Sequence, residues 1–437
     1  MLDIKYIREN QEKVQEAAKN KNIELDVTEL LKIDDKRKEL ITQIDQLRAE
    51  RNELAATAKS GRPTEEQIEL GRKLKEDLAD LETELGELEF EYKKLIKAVP
   101  NIPTEDTPIG KSEEDNQVVY EWGQKRDFEF KPKNHWEIAQ QRDWIDKDRA
   151  AKVTGARFAY LKGDLVLLQM ALVQYVFSAL TNEETLDKII KFGKLGDVSK
   201  KSFIPVLPPL MIKTEIFDAM DRLEPADDRY KIEEEELWLQ GSAEHVLGSM
   251  HQGEILEASK LPLRYIGYAT SFRREAGTYG KDMEGIIRMH QFDKLEMEII
   301  ALPEQGLNEH FLTIAIQEYF LQQLNLPYRK ILKCTADIGK PNSRGVDMEV
   351  WLPGQNNYRE THTADYMADY QARRLKTRAR LKDGSLVYIH TIDATAFACG
   401  RALVAILENY QNADGSVTIP EVLRKFMSGG KEVIGGK

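Results

Sequence analysis

Cysteine, histidine and long apolar runs are scarce in this chain, and each scarcity excludes a class of protein. Only Cys334 and Cys399 occur among 437 residues, so we expect no disulfide framework and a reducing compartment, the cytoplasm. The seven histidines and two cysteines show no metal-ligand spacing, so no zinc is expected. No apolar run approaches the roughly 20 residues that a membrane span requires, and the charged N-terminus does not resemble a signal peptide.

Length and charge bound the remaining classes. At 437 residues the chain is longer than one hydrophobic core usually organises, so two domains are expected. The net charge of −12 argues against a uniformly basic surface for nucleic acid, although a local basic stripe would still suffice to contact RNA. The sequence contains no P-loop, no dinucleotide fingerprint and no Ser/His/Asp arrangement around a nucleophile elbow.

Two segments of the first hundred residues carry a helical repeat. Apolar residues recur there at alternating spacings of three and four, the pattern of paired helices that bury one narrow stripe. The repeat comprises Ile33, Leu40, Ile44, Leu47 and Leu54, then Leu74, Leu78, Leu81, Leu85, Leu88, Tyr92, Leu95 and Val99. Residues 60–63 break the pattern, and Thr64 with Gln67 predicts a capping box that restarts a helix. The sequence therefore predicts a long antiparallel coiled-coil hairpin over about 28–99.

This hairpin belongs to a predicted N-terminal arm, residues 1–103, which precedes a linker at 104–115 and a second domain at 116–437. Pro100 and Pro103 end the second helix, because proline lacks the backbone donor that a helix needs. Taken alone, such heptads favour oligomerisation. Acidic residues are interleaved with the basic ones, so the charge pattern of the arm does not single out RNA as its partner.

The stretch 270–298 concentrates side chains suited to a nucleotide and an amino acid. Its pattern predicts two strands joined by a loop that contains Gly277, Gly280 and Gly285. An arginine fork suits phosphate oxygens, an aromatic face suits a base, and a carboxylate suits an ammonium group.

Strand alternation is predicted to gather these groups, two guanidiniums, two carboxylates and one aromatic ring, on one face of the two strands. Arg273 and Glu275 are predicted to share one face of the first strand. Arg288, Phe292 and Glu296 are predicted to share one face of the second. Each of them alone is more often a solvated strand residue, but the five together indicate a site for a nucleoside triphosphate beside an amino acid.

The segments FRREAG and RMHQFDKLE, with a variable loop between them, resemble motif 2 of class II aminoacyl-tRNA synthetases in the form found in bacterial-type seryl-tRNA synthetases. The resemblance extends over nearly the whole chain. It implies an α+β fold, with an N-terminal antiparallel α-helical coiled-coil hairpin followed by a class II catalytic domain. That domain is an antiparallel β-sheet flanked by helices.

Three further segments continue this resemblance. Residues 202–209 (SFIPVLPP) resemble motif 1, which builds the dimer interface in class II synthetases, so a homodimer is implied. Ser242-Ala243-Glu244 occupies the place of the family's Thr-Ala-Glu, which contacts serine. Arg401, near the start of a predicted helix, resembles the motif 3 arginine that holds the γ-phosphate, and a helix N-terminus there favours an anion.

Two blocks depart from the family pattern. Residues 360–366 are ETHTADY where family members usually have Glu-x-Ser-Ser-Cys-Ser-Asn, and residues 393–396 are DATA where they have Asn-Gly-Ser-Gly. Glu360 and Thr363 keep oxygen atoms suited to magnesium, and Thr395 keeps a hydroxyl for the substrate. The departures bear on the choice of amino acid.

The implied reaction is ATP-dependent activation of L-serine, followed by seryl transfer to the 3′ end of tRNA(Ser), with tRNA(Sec) as a further candidate. The implied catalytic residues are Arg273, Glu360 and Arg401, and Mg²⁺ is assigned to Glu360 and Thr363. The implied ATP-binding residues are Arg273, Arg274, Glu275, Arg288, Met289, Phe292, Glu360, Thr361, His362, Thr363 and Arg401. The implied serine-binding residues are Ser242, Ala243, Glu244, Arg273, Glu296 and Thr395.

Two other functions stay open. A related enzyme that activates a small amino acid and loads a carrier protein would share the catalytic domain but lack the hairpin, which the family uses to bind tRNA. A non-catalytic RNA-binding derivative of a synthetase would be expected to lose Arg273, Glu360 or Arg401, and all three are present.

Overall fold

The computed structural model describes residues 2–58, 64–275 and 285–436. The predicted turn at 60–63 and the predicted loop residues Gly277 and Gly280 therefore lie outside the described residues. The chain divides into two compact units, Met1–Ile102 and Pro103–Lys437.

Four helices make up the described part of the first unit, residues 2–58 and 64–102. They are α1 (Ile4–Glu9), α2 (Gln11–Asn20), α3 (Val27–Ala58) and α4 (Glu65–Ala98). Helices α3 and α4 run antiparallel, as their cross-helix partners show. The guanidinium of Arg37 lies 4.4 Å from the ring centre of Tyr92, whereas Arg48, farther along α3, pairs at 2.8 Å with Glu82, farther back along α4. The predicted coiled-coil hairpin is confirmed.

The second helix of the hairpin starts where the capping box predicts. The hydroxyl of Thr64 accepts a hydrogen bond from the backbone N–H of Gln67 at 3.2 Å, and the Gln67 side chain accepts one from the N–H of Thr64 at 2.9 Å. Within the hairpin only a narrow stripe is buried, including Leu40, Ile44 and Leu74, so most of each helix is solvated.

The second unit is mixed in secondary structure. Its helices are α5 (His135–Arg142), α6 (Lys147–Val153), α7 (Asp164–Leu180), α8 (Glu183–Phe192), α9 (Thr214–Ala219), α10 (Glu244–Leu247), α11 (Pro303–Gln323), α12 (Tyr370–Leu375), α13 (Cys399–Asn409) and α14 (Glu421–Arg424). Its strands are β1 (Gln117–Trp122), β2 (Ile145–Asp146), β3 (Tyr160–Leu161), β4 (Ile204–Val206), β5 (Met211–Lys213), β6 (Tyr230–Lys231), β7 (Leu237–Leu239), β8 (Ile255–Glu257), β9 (Leu263–Phe272), β10 (Gln291–Ala301), β11 (Tyr328–Leu332), β12 (Arg344–Leu352), β13 (Asn357–Ala368), β14 (Arg378–Arg380), β15 (Leu386–Tyr388), β16 (His390–Ala398), β17 (Val417–Thr418) and β18 (Val433–Ile434).

Eight strands form one sheet in the spatial order β1-β11-β12-β13-β16-β10-β9-β4. Every neighbouring pair in it is antiparallel except β4 with β9. The remaining strands form small sheets of two or three strands. The predicted class, an antiparallel sheet flanked by helices behind an N-terminal hairpin, is confirmed.

The central strands divide their side chains between a core and an open face. On β16, Ala394 and Ala396 are buried in the same apolar cluster as Phe320 of α11. Asp393 and Thr395, which alternate with these alanines, line a cavity on the other face. This alternation follows from the two-residue period of a strand, and it provides the floor of the site.

Residues of the predicted linker run along the second unit. The backbone N–H of Thr104 donates to the carbonyl of Ser343 at 2.9 Å, and Arg344 pairs with Asp106 at 2.9 Å. The boundaries at 103, 115 and 116 stay predictions.

Among the described residues, no single helix has the length and apolar character needed to cross a membrane. One pair, α7 with α8, meets those requirements together, but the two helices are bent by 85°.

Candidate active site

A cavity of about 660 Å³ lies on the open face of the sheet, with β10, β13 and β16 as its floor. The predicted site residues that line it are Glu244, Arg273, Glu275, Arg288, Met289, Phe292, Glu296, Glu360, Thr361, Thr363, Thr395 and Arg401. Residues from five separate segments of the chain thus converge on one cavity. The remaining four predicted residues, Ser242, Ala243, Arg274 and His362, are not among its lining.

Three arginines surround the Phe292 end of the cavity. Arg273 donates through Nε to the carbonyl of Gly241 at 2.9 Å, and its guanidinium lies 5.5 Å from the ring centre of Phe292. Arg288 pairs with Glu275 at 2.9 Å. Arg401, in the first turn of α13, donates to the backbone carbonyl of Glu360 at 2.8 Å and to its carboxylate at 3.0 Å.

The predicted strand positions of Arg273, Glu275 and Arg288 are wrong. Strand β9 ends at Phe272 and β10 begins at Gln291, so these three side chains come from the connecting segment and do not follow strand alternation. The chain leaves the sheet at this point, and Glu275 adopts a left-handed backbone with φ of 54°. Loop geometry, which has no fixed period in sequence, brings the three residues to the cavity.

The second predicted face is correct for Phe292 and Glu296. Both lie on β10 and line the cavity together with Lys294, which occupies the intervening position on the same face. Lys294 belongs to the quoted motif, but no role was assigned to it from the sequence.

A β-bulge in β13 determines which residues of the Glu360 block face the cavity. His362 pairs with Met348 of β12, and Glu360 pairs with the next residue, Glu349, so Thr361 is the extra residue. As a result Glu360, Thr361 and Thr363 all line the cavity.

His362, which the sequence predicts at the ATP site, points the other way and does not line the cavity. It is buried, its ring packs 4.9 Å from that of Phe397, and burial holds its pKa at about 3, so it is neutral. Arg274 also lies elsewhere, because its guanidinium sits 4.9 Å from the ring centre of Tyr230.

One residue of the Ser242-Ala243-Glu244 triplet faces the cavity, and the other two are buried beside it. The hydroxyl of Ser242 donates to Glu296 at 3.0 Å and accepts from Lys294 at 3.1 Å, so its hydrogen-bonding capacity is used within the protein. Ala243 is buried in an apolar cluster. Only Glu244 faces the cavity, and its side chain is 12% exposed.

Arg222, Asp365 and Asp393 also line the cavity, and sequence reasoning assigned no function to them. Arg222 pairs with Glu244 at 3.2 Å and with Asp393 at 3.1 Å. It lies outside every motif recognised in the sequence. The two aspartates were visible as departures from the family pattern, but only the strand register shows that they are cross-strand neighbours.

The carboxyl groups at this end differ in their affinity for protons. Burial opposes ionisation of Glu244, yet Arg222, His245 and Lys294 together hold its pKa well below the ordinary value. Burial raises the pKa of Glu296, and the neighbouring Glu244 raises it further. Asp393, also buried and close to Glu244, has a pKa raised well above the ordinary value. This end of the cavity therefore retains protons, or attracts another cation.

Magnesium is the metal that the sequence implies. Thr363 donates to Asp347 at 2.8 Å, and its hydroxyl lies 3.5 Å from the carboxylate of Glu360. Within the described ranges, no cluster of three or more His, Cys, Asp or Glu side chains could hold a metal by itself. The oxygen donors present fit Mg²⁺ that is also bound by substrate phosphates, the usual arrangement for this ion.

The fold and the cavity together define a class II aminoacyl-tRNA synthetase. Residues 229–410 match the family described as the tRNA synthetase class II core domain (G, H, P, S and T), and residues 1–103 match the seryl-tRNA synthetase N-terminal domain. Serine–tRNA ligases of Nitrosopumilus maritimus and Deinococcus radiodurans are each 38% identical to the chain. The first match covers 99% of this chain and 100% of the relative, and the second covers 100% and 99%. The chain belongs to the seryl-tRNA synthetase family.

Solved structures agree with this assignment. The seryl-tRNA synthetase of Pyrococcus horikoshii, complexed with ATP, superposes with a TM-score of 0.85 at 36% identity over 99% of both chains. The cytoplasmic serine–tRNA ligase of Naegleria fowleri, in complex with AMP, gives a TM-score of 0.81 at 26% identity over 99% of this chain and 98% of that one.

Proposed function

We propose that this protein is a serine–tRNA ligase. The carboxylate of serine attacks the α-phosphorus of ATP, which yields seryl-adenylate and pyrophosphate, and a terminal ribose hydroxyl of tRNA then takes the seryl group. The observation that carries the proposal is the convergence of four guanidinium groups, one aromatic ring and several carboxylates on a single cavity. Both steps develop negative charge on oxygen, so fixed positive charge and positioning supply most of the catalysis.

The arginine-lined end is the proposed ATP site. Arg273 binds the α-phosphate, Arg401 binds the γ-phosphate and Arg288 contacts the phosphate chain. Phe292 stacks on the adenine while Glu275 accepts from its amino group. Each guanidinium already has a partner in the protein, and these partners fix its direction before ATP arrives.

Glu360 and Thr363 are the proposed protein ligands of Mg²⁺ that enters with ATP. Glu360 is half-exposed, and the protein packed around its carboxyl group opposes ionisation. Arg401, Lys333 and Arg273 outweigh this and hold its pKa below the ordinary value, so it is an anion at neutral pH. When bound, the ion neutralises charge on the phosphates and on the departing pyrophosphate.

Glu244, Glu296 and Thr395 form the proposed serine site. Glu244 is an anion suited to the α-ammonium group, and Glu296 has one buried carboxyl oxygen without a partner. Thr395 is almost fully buried and lines the cavity, so its hydroxyl is placed to pair with that of serine. A buried hydroxyl that bonds the substrate hydroxyl rejects alanine, because its own group would go unpaired.

The arm, residues 1–103, is proposed to bind tRNA(Ser), with tRNA(Sec) as a second candidate acceptor. A homodimer through the motif 1 segment is also proposed. Ile204 and Leu207 of that segment are exposed apolar side chains, as is Met211 just beyond it, and Leu207 is 78% exposed. Such a patch is typical of an interface. The proposed location is the cytoplasm.

The hairpin disfavours the carrier-protein alternative, because residues 1–103 match a domain named for seryl-tRNA synthetases. The positions of Arg273, Glu360 and Arg401 in one cavity disfavour a non-catalytic derivative.

ATP–pyrophosphate exchange with serine, threonine, alanine and glycine tests the proposal. We expect exchange with serine above the other three, and a loss of at least about a hundredfold in Arg273→Ala, the range that one preorganised donor supplies. Arg380→Ala, an exposed arginine of β14 outside the cavity, is the matched control. Pyrophosphate exchange that does not depend on serine, or normal exchange in Arg273→Ala, would refute the proposal.

Deleting residues 27–100 tests the arm separately. We expect the deletion to preserve pyrophosphate exchange, which also shows that the catalytic unit is folded, and to abolish charging of tRNA(Ser). If the shortened protein charges tRNA(Ser) as well as the full chain does, the arm is not part of the tRNA-binding site.

A further inference from the structure

Three acidic side chains form a row across the central strands of the sheet, and two of them, Asp365 and Asp393, line the cavity. In the strand register Glu298 of β10 is opposite Asp393 of β16, and Asp393 is opposite Asp365 of β13. Residues opposite one another in an antiparallel pair have Cβ atoms about 5 Å apart. The row lies one strand repeat beyond Glu296 and Thr395, so the two sets are separated by about 7 Å along the strands.

The row has far fewer partners than buried carboxyl groups usually require. Glu298, Asp365 and Asp393 are each more than nine-tenths buried. Arg222 pairs with Asp393 at 3.1 Å, but both carboxyl oxygens of Glu298 and Oδ1 of Asp365 have no hydrogen-bond partner. Burial of an unpaired carboxylate is strongly unfavourable unless a proton or a cation compensates it.

The carboxyl group of Asp365 packs against a glycine of the neighbouring strand. A Cβ on Gly345, its cross-strand neighbour in β12, would lie 2.8 Å from Oδ1 of Asp365. Lys333 comes near, but its ammonium lies closest to Asp347, at 3.5 Å, and to Asp337, at 3.7 Å. Asp365 is also part of the cavity lining. Its carboxyl group therefore borders the space that a ligand of the cavity would occupy.

The amino-acid end holds more carboxyl groups than cations. Glu244, Glu296 and the row supply five carboxyl groups, whereas Arg222 and Lys294 are the two cations in ion-pair contact with any of them among the described residues. The α-ammonium group of serine adds one positive charge, next to Glu244 and Glu296. A metal ion is a poor candidate for balancing the remaining negative charge, because the described side chains form no metal-binding cluster.

We infer that the amino-acid end of this cavity takes short diamino acids as well as serine, with the second ammonium group against Asp365 and Asp393. The inference rests on the proposed function. The two carboxyl sets, about 7 Å apart, match two ammonium groups separated by two or three carbons, as in 2,3-diaminopropionate and 2,4-diaminobutyrate. In the reaction the carboxylate attacks the α-phosphorus of ATP and displaces pyrophosphate, while the side-chain ammonium keeps its protons.

ATP–pyrophosphate exchange in the full-length protein, with serine and with 2,3-diaminopropionate, tests this inference. We expect exchange with the diamino acid at least tenfold above the background without amino acid. In Asp365→Asn and Asp393→Asn, the ratio of kcat/KM for the diamino acid to that for serine is expected to fall at least tenfold, because an isosteric amide removes the charge. Asp187→Asn, which changes a surface carboxylate of α8 paired with Lys191 and Lys200, is the matched control.

Each result decides between the two proposals. Exchange with serine but none with the diamino acid overturns this inference and leaves the proposed function in place. If the ratio of kcat/KM for the diamino acid to that for serine is unchanged in both aspartate variants, the second ammonium group does not bind at Asp365 and Asp393. Absence of exchange with either amino acid overturns the proposed function itself, and this inference with it.

Discussion

The two ends of the cavity hold their charged groups in different ways. At the Phe292 end, Arg273 and Arg288 come from the segment between two strands, and Arg401 comes from the first turn of a helix. Each is held by other groups of the protein, and Glu360, which pairs with Arg401, is 48% exposed. At the other end, buried carboxyl groups project from the middle of three adjacent strands and share Arg222 and Lys294.

Because of this difference, the arginine-lined end is suited to bind an anion and the carboxyl-lined end is suited to bind a cation. Guanidinium groups next to solvent can exchange a carboxylate partner for a phosphate at little cost. Buried carboxyl groups cannot exchange partners with water, so their protonation and their ligands are linked. The same sheet therefore presents opposite charge to the two halves of one adenylate.

Arg222→Met should have the largest effect on the buried end. The change leaves Glu244 and Asp393 without their shared cation, so the free energy of unfolding should fall by about 3 kcal/mol at pH 7. The loss should shrink at pH 5, because protonation removes the unpaired charge. Thermal unfolding at both pH values measures it, with Arg380→Met as the control, and equal stability of Arg222→Met and the parent at pH 7 would contradict the comparison.

Arg401→Ala tests the exposed end. We expect pyrophosphate exchange to fall at least about a hundredfold, since a positioned donor to the γ-phosphate is lost. Stability should change little, because Glu360 is half-exposed and water can replace its partner. A melting temperature that falls as far as in Arg222→Met would show that the two ends do not differ as described.

Thr395→Val sharpens the assignment of the serine hydroxyl. The isosteric change should lower kcat/KM for serine about tenfold and leave the low activity with alanine unchanged, because only serine loses a hydrogen bond. Thr395→Ser keeps the hydroxyl and is expected to retain most of the activity. Equal losses of kcat/KM with serine and with alanine would show that the substitution acts by disturbing the packing.

Glu298→Gln should have the smallest effect, visible only as a dependence on pH. Burial, with Asp393 and Glu244 nearby, raises the pKa of Glu298 well above its ordinary value, so the folded protein holds a proton that the unfolded chain releases. That contribution to stability is complete at low pH and is lost as pH rises through the pKa of the folded state. The variant should therefore match the parent near pH 5 and melt a few degrees higher near pH 8.5. A melting temperature higher than that of the parent at pH 5 but not at pH 8.5 would be the opposite of this expectation and would contradict it.

The comparison also explains which features could be predicted from the sequence. The hairpin repeats every three or four residues and the capping box at Thr64 spans four, so local patterns were sufficient for both. The arginine-lined end was recognisable because Arg273, Arg288 and Phe292 lie within twenty residues of one another, although their strand positions were misjudged where the chain leaves β9. The buried end depends on register between β10, β13 and β16, which no linear pattern displays. Arg222 therefore went unnoticed, and Asp365 and Asp393 appeared only as isolated departures.

The central claim is that the two ends bind the two halves of one adenylate. A crystal structure with a stable sulfamoyl analogue of seryl-adenylate tests it most directly. The account predicts adenine on the ring of Phe292, the sulfamoyl group beside Arg273, and the seryl ammonium between Glu244 and Glu296. An analogue bound with its seryl group among the arginines, or outside this cavity, would contradict it.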